Sequence, residues 1–190
     1  MTEDIRIIKT KENIQNTFIN IMAEQDLEKI TVKAITSRAR INKSTFYRNY
    51  ADKYDLFYSI ISNLLREYKA TLSPDFFELV SIGSIAAIEK AINPIIDFFD
   101  QNKRTLLIIH SCQLSSILFD GMVTELHDVL IKKTDKKDSL VKSFYCTLIA
   151  NNILTSIKWW HIYNNHRMSK MDFINVVTTT INEGIVSSID

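Results

Sequence analysis

The sequence predicts an all-α protein, and three observations support this fold class. The 190 residues include only 3 Gly and 2 Pro, whereas these two types make up roughly 12% of an average protein. An all-β fold needs turn residues about every 8–12 positions. Gly83, Gly121 and Gly184 lie too far apart for a glycine-rich phosphate loop. Apolar residues recur instead at helical spacing.

Composition places the chain among ordinary globular proteins. Hydrophobic residues make up 46%, charged residues 24%, and the net charge is +1, which excludes a disordered chain. Cys112 and Cys146 lie in apolar helical patterns without metal-type spacing, so we expect buried free thiols. The N-terminal residues lack the apolar stretch of a signal peptide, and no run of 18 apolar residues occurs. We therefore expect a cytoplasmic location and no membrane contact.

The N-terminal part predicts two opening helices. Residues 1–9 are interpreted as a polar arm, and Thr10 is expected to cap a first helix with an apolar stripe. Thr31 is predicted to cap a second helix over residues 32–39, with Ile30 packing on Ile35 as a hydrophobic staple. The stripe of the first helix consists of Ile14, Phe18, Ile21 and Met22.

Two further helices follow closely. Asn42 is expected to cap a third helix over residues 43–49, with Ile41 and Phe46 as a second staple. Asp52 is expected to cap a fourth helix that ends before Ser73-Pro74. Its stripe consists of Leu56, Ile60, Leu64 and Tyr68.

Beyond Pro74 the pattern predicts longer helices over about 75–80, 84–100, 103–110, 114–132, 138–163 and 169–188. Pro94 is expected to break or kink the second of these, and residues 132–138 form a polar connection. The last two helices carry broad apolar faces, which favour burial both within the fold and against a partner. These faces consist of Leu140, Phe144, Leu148, Leu154 and Ile157, and of Ile174, Val177, Ile181 and Ile185.

The second and third helices fit a helix-turn-helix, in which the second of the two enters the DNA major groove. Seven basic residues and one acid lie between Lys29 and Lys53, a local charge of +6, whereas the other residues sum to −5. Such a patch favours a polyanion. The third helix would present Lys43, Ser44, Tyr47 and Arg48 outward, with a helix N-terminus suited to phosphate.

The same segment resembles the DNA-binding domain of TetR-type transcriptional regulators. Three positions depart from that pattern: Arg40 stands where Gly is usual, Thr36 replaces Ala, and Asn49 replaces His. The matching positions are Thr31, Val32, Ile35, Ala39, Ile41, Ser44, Thr45, Phe46, Tyr47, Tyr50, Lys53 and Leu56.

The resemblance implies a DNA-binding domain over residues 1–52 and a helical effector-binding and dimerisation domain over 53–190. It implies a homodimer formed through the last two helices, a double-stranded DNA operator that is nearly palindromic, and a small-molecule effector that releases a repressor. Arg6, Lys9 and Lys11 of the arm are further candidates to approach DNA. The implied DNA-binding residues are Thr31, Lys33, Asn42, Lys43, Ser44, Thr45, Tyr47, Arg48, Asn49 and Lys53.

Effector contacts are sought among polar and aromatic groups inside apolar patterns: His110, Phe119, Tyr145 and Asn151. No catalytic, metal or cofactor site is expected, because no HExxH motif, serine elbow or convergent carboxylate pair occurs. His161 and His166 are five apart and do not share a helix face. Two alternatives stay open, a helical protein-binding coactivator of the same fold and a small-molecule enzyme in the C-terminal bundle.

Overall fold

The computed structural model describes residues 5–132, 139–164 and 167–183. This part of the chain is built from α-helices and one short 3-10 turn, which confirms the predicted all-α class. The elements are α1 Ile5–Met22, the 3-10 turn Leu27–Lys29, α2 Val32–Ala39, α3 Lys43–Asn49, α4 Lys53–Thr71, α5 Phe76–Ile82, α6 Ile85–Gln101, α7 Lys103–His110, α8 Ser115–Ile131, α9 Ser139–Tyr163 and α10 Lys170–Asn182.

The chain divides into two compact units. The first consists of the chain up to Leu64 together with Arg104–Ser115, and the second of Leu65–Lys103 and the chain from Ser116 onward. The predicted boundary between residues 52 and 53 separates a DNA-binding domain from an effector-binding and dimerisation domain. This functional boundary stays a prediction.

The first unit has the core that the apolar stripes predict. Ile14 and Phe18 of α1, Ile35 of α2 and Phe46 of α3 are all fully buried. Both predicted staples lie at this core, since Ile30 is buried and Ile41 is half-buried. Burial of a large apolar side chain stabilises a fold by about 1.5–3 kcal/mol. These side chains therefore fix how α1, α2 and α3 pack together.

The predicted polar arm is wrong for residues 5–9, because α1 already begins at Ile5. Thr10 does not cap the helix but lies inside it, where its hydroxyl donates to the Arg6 carbonyl oxygen at 2.7 Å. This local bond satisfies the hydroxyl without ending the helix. Residues 1–4 of the predicted arm lie outside the described residues.

The second unit is centred on α6. Ile88, Ile92 and Ile95 of this helix are fully buried, and α6 contacts α5, α9 and α10. Pro94 does not break the helix, which continues to Gln101. A proline removes one backbone donor, and burial of the surrounding apolar residues offsets that loss.

The apolar residues predicted to form one broad face of α9 are partly buried and partly exposed. Leu154 and Ile157 are buried, but Leu140, Phe144 and Leu148 are exposed. Trp160 packs edge-to-face on Phe173 of α10 with ring centroids 4.7 Å apart, whereas Trp159 is exposed. On α10, Ile174 and Val177 are buried and Ile181 is half-buried, while Ile185 lies outside the described residues.

Candidate nucleic-acid interface

Arg40 shapes the turn between α2 and α3. Its backbone is left-handed, with φ 55° and ψ 46°, and it is the one non-glycine residue with positive φ in the described ranges. The Arg40 N–H donates to the Ser37 carbonyl oxygen at 3.3 Å, and the Ile41 N–H donates to that of Thr36 at 3.0 Å. This is the Schellman pattern that usually places glycine after a helix. Arginine therefore adopts a conformation that glycine adopts without strain.

Helix α1 holds the turn and α3 from behind. The Asn13 amide donates to the Ala39 carbonyl oxygen at 2.9 Å, an acceptor that the end of α2 leaves without a helical partner. The Gln15 amide donates to the Tyr50 hydroxyl at 3.1 Å. Sequence patterns missed both contacts, because each joins residues that are far apart along the chain.

Of the three caps predicted for α2, α3 and α4, two form. Thr31 Oγ1 accepts from the Ala34 N–H at 3.2 Å, and Asp52 Oδ1 accepts from the N–H groups of Tyr54 and Asp55 at 2.8 Å each. Asn42 occupies the capping position of α3, but its side chain makes no capping hydrogen bond. The prediction for Asn42 is thus right for the position and wrong for the side chain.

The outer face of α3 is exposed and polar. Lys43, Ser44 and Arg48 are exposed, and Tyr47 retains 56% of its surface. Thr45 and Asn49 are half-buried, and the Asn49 amide donates to the Thr45 carbonyl oxygen at 2.8 Å. Tyr47 lies edge-on to buried Phe46, with ring centroids 5.5 Å apart, so its position is fixed by the core.

Part of the basic patch is engaged within the first unit. Lys29 pairs with Asp26 at 2.6 Å. The Lys53 ammonium donates to the carbonyl oxygens of Leu27 at 2.9 Å and Glu28 at 2.6 Å.

Arg38 of the patch pairs with Glu24, and the remaining basic side chains form no ion pair among the described residues. These four side chains are exposed. This free part of the patch consists of Lys33, Arg40, Lys43 and Arg48.

A groove of about 550 Å³ lies between the start of α1 and α3. Arg6 and Lys11 line it from α1, and Arg48 lines it from α3, with hydroxyl and amide groups from Thr10, Thr45 and Asn49. Two of the three basic residues suggested for the arm thus share a groove with the third helix. Lys9 is exposed and does not line it.

The four predicted effector residues are divided between the two units, and their role stays a prediction. His110 belongs to the first unit, whereas Phe119, Tyr145 and Asn151 belong to the second. Tyr145 is exposed, and exposed Asn151 donates to the Thr147 carbonyl oxygen at 2.9 Å. Half-buried Phe119 has the Lys158 ammonium 5.1 Å from its ring centroid.

Buried polar atoms without partners mark other positions of the second unit. The Tyr68 hydroxyl makes no hydrogen bond although its side chain is fully buried. Burial, reinforced by the nearby Glu125 carboxylate, raises the pKa of Tyr68 far above its ordinary value. The carbonyl oxygens of the Asn93, Asn152 and Asn175 side chains are unpaired in the same way. Helical patterning assigned Tyr68 to the core, and only the structure reveals its missing partner.

These features define a helix-turn-helix protein with an exposed basic third helix. Residues 19–60 match the family described as bacterial regulatory proteins, tetR family. The HTH-type transcriptional regulator YxbF of Bacillus subtilis (strain 168) is 32% identical over 90 residues, which cover 45% of this chain and 24% of YxbF. The chain therefore spans about a quarter of the length of this curated relative.

Solved structures share the fold over nearly the whole chain. A TetR transcriptional regulator from Streptococcus agalactiae 2603V is 25% identical with a TM-score of 0.60, covering 93% of this chain and 95% of its own. The dihydroxyacetone kinase operon activator DhaS is 20% identical with a TM-score of 0.53, covering 96% and 97%. The chain therefore resembles tetR-family regulators in its helix-turn-helix segment, residues 19–60, and shares the fold of a solved TetR transcriptional regulator. No single helix in the described ranges is long and apolar enough to cross a membrane.

Proposed function

We propose that the protein is a homodimeric repressor that binds a near-palindromic operator and is released by a small-molecule effector. The observation that carries the DNA-binding part is the outer face of α3, where Lys43, Tyr47 and Arg48 are exposed. The opposite side of this helix is anchored by fully buried Phe46. In a dimer, two such helices would enter successive major grooves roughly 34 Å apart.

The proposed contacts divide into base and phosphate contacts. Residues on α3 would reach base edges or nearby phosphates, because the recognition helix carries the direct readout. Thr31, Lys33 and Lys53 would contact phosphates beside it. Arg6 and Lys11 would add charge along the groove that they share with Arg48. The α3 group consists of Lys43, Ser44, Thr45, Tyr47, Arg48 and Asn49, with Asn42 before its first turn.

The proposed dimer rests on the exposed stripe of α9, which consists of Leu140, Phe144, Leu148, Trp159 and Tyr163. These residues follow one another at helical spacing, so they share one side of the helix. The first three form one exposed apolar patch and the last two form a second, with exposed Asn151 and Thr155 between them. Exposed apolar patches usually mark interaction sites. A second copy could pair its own α9 on this stripe, with Met171 and Val176 of α10 beside it.

An effector would act through α4. This helix begins with Lys53, which holds the 3-10 turn, and it carries the unpartnered Tyr68 hydroxyl four turns later. A ligand that bonds this hydroxyl would shift the position of α4 if it binds one arrangement more tightly than the other. Such a shift would change the separation of the two α3 helices.

The test begins with genomic DNA fragments captured by the purified protein at low salt, followed by gel-shift titration. Tyr47→Ala should weaken binding of the captured fragment at least tenfold, because an exposed contact of the recognition helix is lost. Tyr58→Ala is the matched control, since Tyr58 is also exposed but lies on α4. Capture of no fragment would refute the DNA-binding proposal and favour the protein-binding coactivator.

Dimerisation, and whether the protein represses or activates transcription, need separate measurements. Phe144→Asp should convert a dimer to a monomer in light scattering, because it places charge in the proposed interface. Glu12→Lys changes the charge at an exposed position of α1 and should leave the dimer intact. A reporter gene behind the captured operator should be silenced by the protein, and increased expression would instead indicate an activator.

A further inference from the structure

The second unit contains a cavity of about 410 Å³ between the end of α6, the end of α9 and the start of α10. Its polar lining includes Asp100, Lys103, His161, Asn164 and Lys170. None of the four effector residues predicted from the sequence lines it. The volume is within the range of small-molecule sites, which are about 300–1,000 Å³.

One wall of the cavity is held rigidly by internal contacts. Buried Asn164 accepts from the Met168 N–H at 2.8 Å and donates to the Met168 carbonyl oxygen at 3.1 Å. The Trp160 ring packs on Phe173. A preformed wall reduces the ordering that a ligand must impose when it binds.

His161 lies between two hydrogen-bond acceptors. Its Nδ1 is 2.8 Å from the Ile157 carbonyl oxygen, and its Nε2 is 3.1 Å from Asp100 Oδ1. A neutral imidazole carries one N–H and can donate to only one of them, whereas the imidazolium donates to both. The His161 ring therefore links the end of α9 to Asp100 of α6 at the wall of the cavity.

Two positive charges line the cavity without a counterion. Lys103 and Lys170 are exposed and form no ion pair among the residues that the structure describes. Because Asp100 is the one carboxylate among the lining residues, the two lysines leave an excess of positive charge at the cavity. Ile96, Met168 and the Trp160 ring supply apolar surface beside them.

We propose that this cavity binds a small organic anion, a carboxylate or phosphate monoester attached to a flat apolar group. The anionic group pairs with Lys103 and Lys170, and the apolar group packs beside Trp160. Binding itself does not depend on the proposed function. Only a regulatory effect of this ligand on DNA binding, at a site separate from Tyr68, rests on the proposed function.

Tryptophan fluorescence can test the proposal, because Trp159 and Trp160 are the only tryptophans. Full-length Trp159→Phe protein leaves Trp160 as the single reporter. Benzoate, phenyl phosphate and neutral benzamide serve as probes of similar shape. We expect a saturable change with at least one anion and at least tenfold weaker binding of benzamide. The anion that saturates at lower concentration distinguishes a carboxylate from a phosphate ligand.

Charge-removal variants then locate the site. Lys103→Met combined with Lys170→Met should weaken anion binding at least tenfold. Lys158→Met, on α9 but not in the lining of the cavity, should leave anion binding unchanged. Both lysines of the double variant are exposed, so its circular dichroism melt should match the parent. Equal binding of benzamide, no saturable change with either anion, or unchanged affinity of the double variant would overturn the proposal.

A gel shift on the wild-type protein separates this proposal from the DNA-binding one, because Trp159 belongs to the proposed dimer stripe. If the protein binds DNA but neither anion, the cavity proposal alone is overturned. Anion binding without affinity for any captured DNA fragment supports the cavity proposal and overturns the proposed function.

Discussion

Arg38 and Glu24 form two parallel hydrogen bonds, with Nη1 to Oε2 and Nη2 to Oε1 both at 2.5 Å. This two-pronged geometry fixes direction as well as charge. It joins α2 to the segment that follows α1, and it occupies one of the seven basic residues of the patch. Arg38 is therefore a structural residue of the helix-turn-helix.

The first prediction concerns the pH dependence of this pair. Hydrogen bonding from the Arg38 side chain holds the pKa of Glu24 below its ordinary value of 4.5. The pair therefore stabilises the fold above that pH, and its contribution is lost as the pH falls through the lowered value. The melting temperature of wild type should exceed that of Glu24→Gln near neutrality, and the difference should shrink below pH 4.5.

Glu12→Gln is the control for this comparison, because Glu12 is an exposed carboxylate of α1 that forms no ion pair among the described residues. Its melting temperature should follow that of wild type at each pH. A Glu24→Gln difference that is constant from neutral to acidic pH would contradict the assigned role.

The second prediction concerns Arg40. A left-handed backbone costs a non-glycine residue roughly 1–2 kcal/mol, and glycine avoids this strain but loses more entropy on folding. Arg40→Gly should therefore raise the free energy of unfolding by about 0.5–1 kcal/mol, measured by urea denaturation. Arg40→Ala removes the same charge without relieving the backbone strain, so the free energy of unfolding of this variant should not exceed that of wild type. Equal stability of the two variants would show that the backbone conformation is not the cause.

The third prediction assigns Lys53 two tasks. Lys53→Ala removes two hydrogen bonds from a charged donor, so unfolding should become easier by about 1–2 kcal/mol. If the ammonium also contacts a phosphate, the salt dependence of DNA binding should fall by about one counterion. Chemical denaturation and gel shifts at several salt concentrations measure the two effects.

Lys33→Ala provides the contrast for Lys53. Lys33 is exposed and forms no ion pair among the described residues. We expect it to change the salt dependence alone. Unaltered denaturation of the Lys53 variant would mean that its bonds to the Leu27 and Glu28 carbonyl oxygens contribute nothing to folding.

The fourth prediction concerns Tyr68. A buried hydroxyl without a partner costs about 1–3 kcal/mol, so Tyr68→Phe should stabilise the ligand-free protein while preserving the ring contact with Phe98 at 5.8 Å. Tyr58→Phe, at an exposed position of the same helix, should leave the melting temperature unchanged. A lower melting temperature for Tyr68→Phe would indicate that the hydroxyl has a stabilising partner in solution.

Local features of the fold could be predicted because neighbouring residues determine them. Thr31 and Asp52 cap their helices as expected, and Phe46 is buried as its stripe indicates. Contacts between distant segments, such as Asn13 with Ala39 or Arg38 with Glu24, leave no periodic signal.

Burial on α9 also escaped prediction for a physical reason. An apolar pattern records that Leu140 and Leu154 are hydrophobic, but it does not record which of them another helix covers. The candidate effector residues rest on the same kind of pattern. It indicates Tyr145, which is exposed, and it places Tyr68 in the core without revealing that its hydroxyl has no partner.

The hydrogen bond from Asn13 to Ala39 has a practical consequence for the design of chimeras that carry the helix-turn-helix of α2 and α3. A chimera that receives only residues 31–53 would lack the amide donor for the Ala39 carbonyl oxygen and the Gln15 support for Tyr50. The shortest segment that retains both contacts when it is moved to another protein therefore starts within α1, at or before Asn13. Sequence specificity can be exchanged between scaffolds only together with the helix that precedes it.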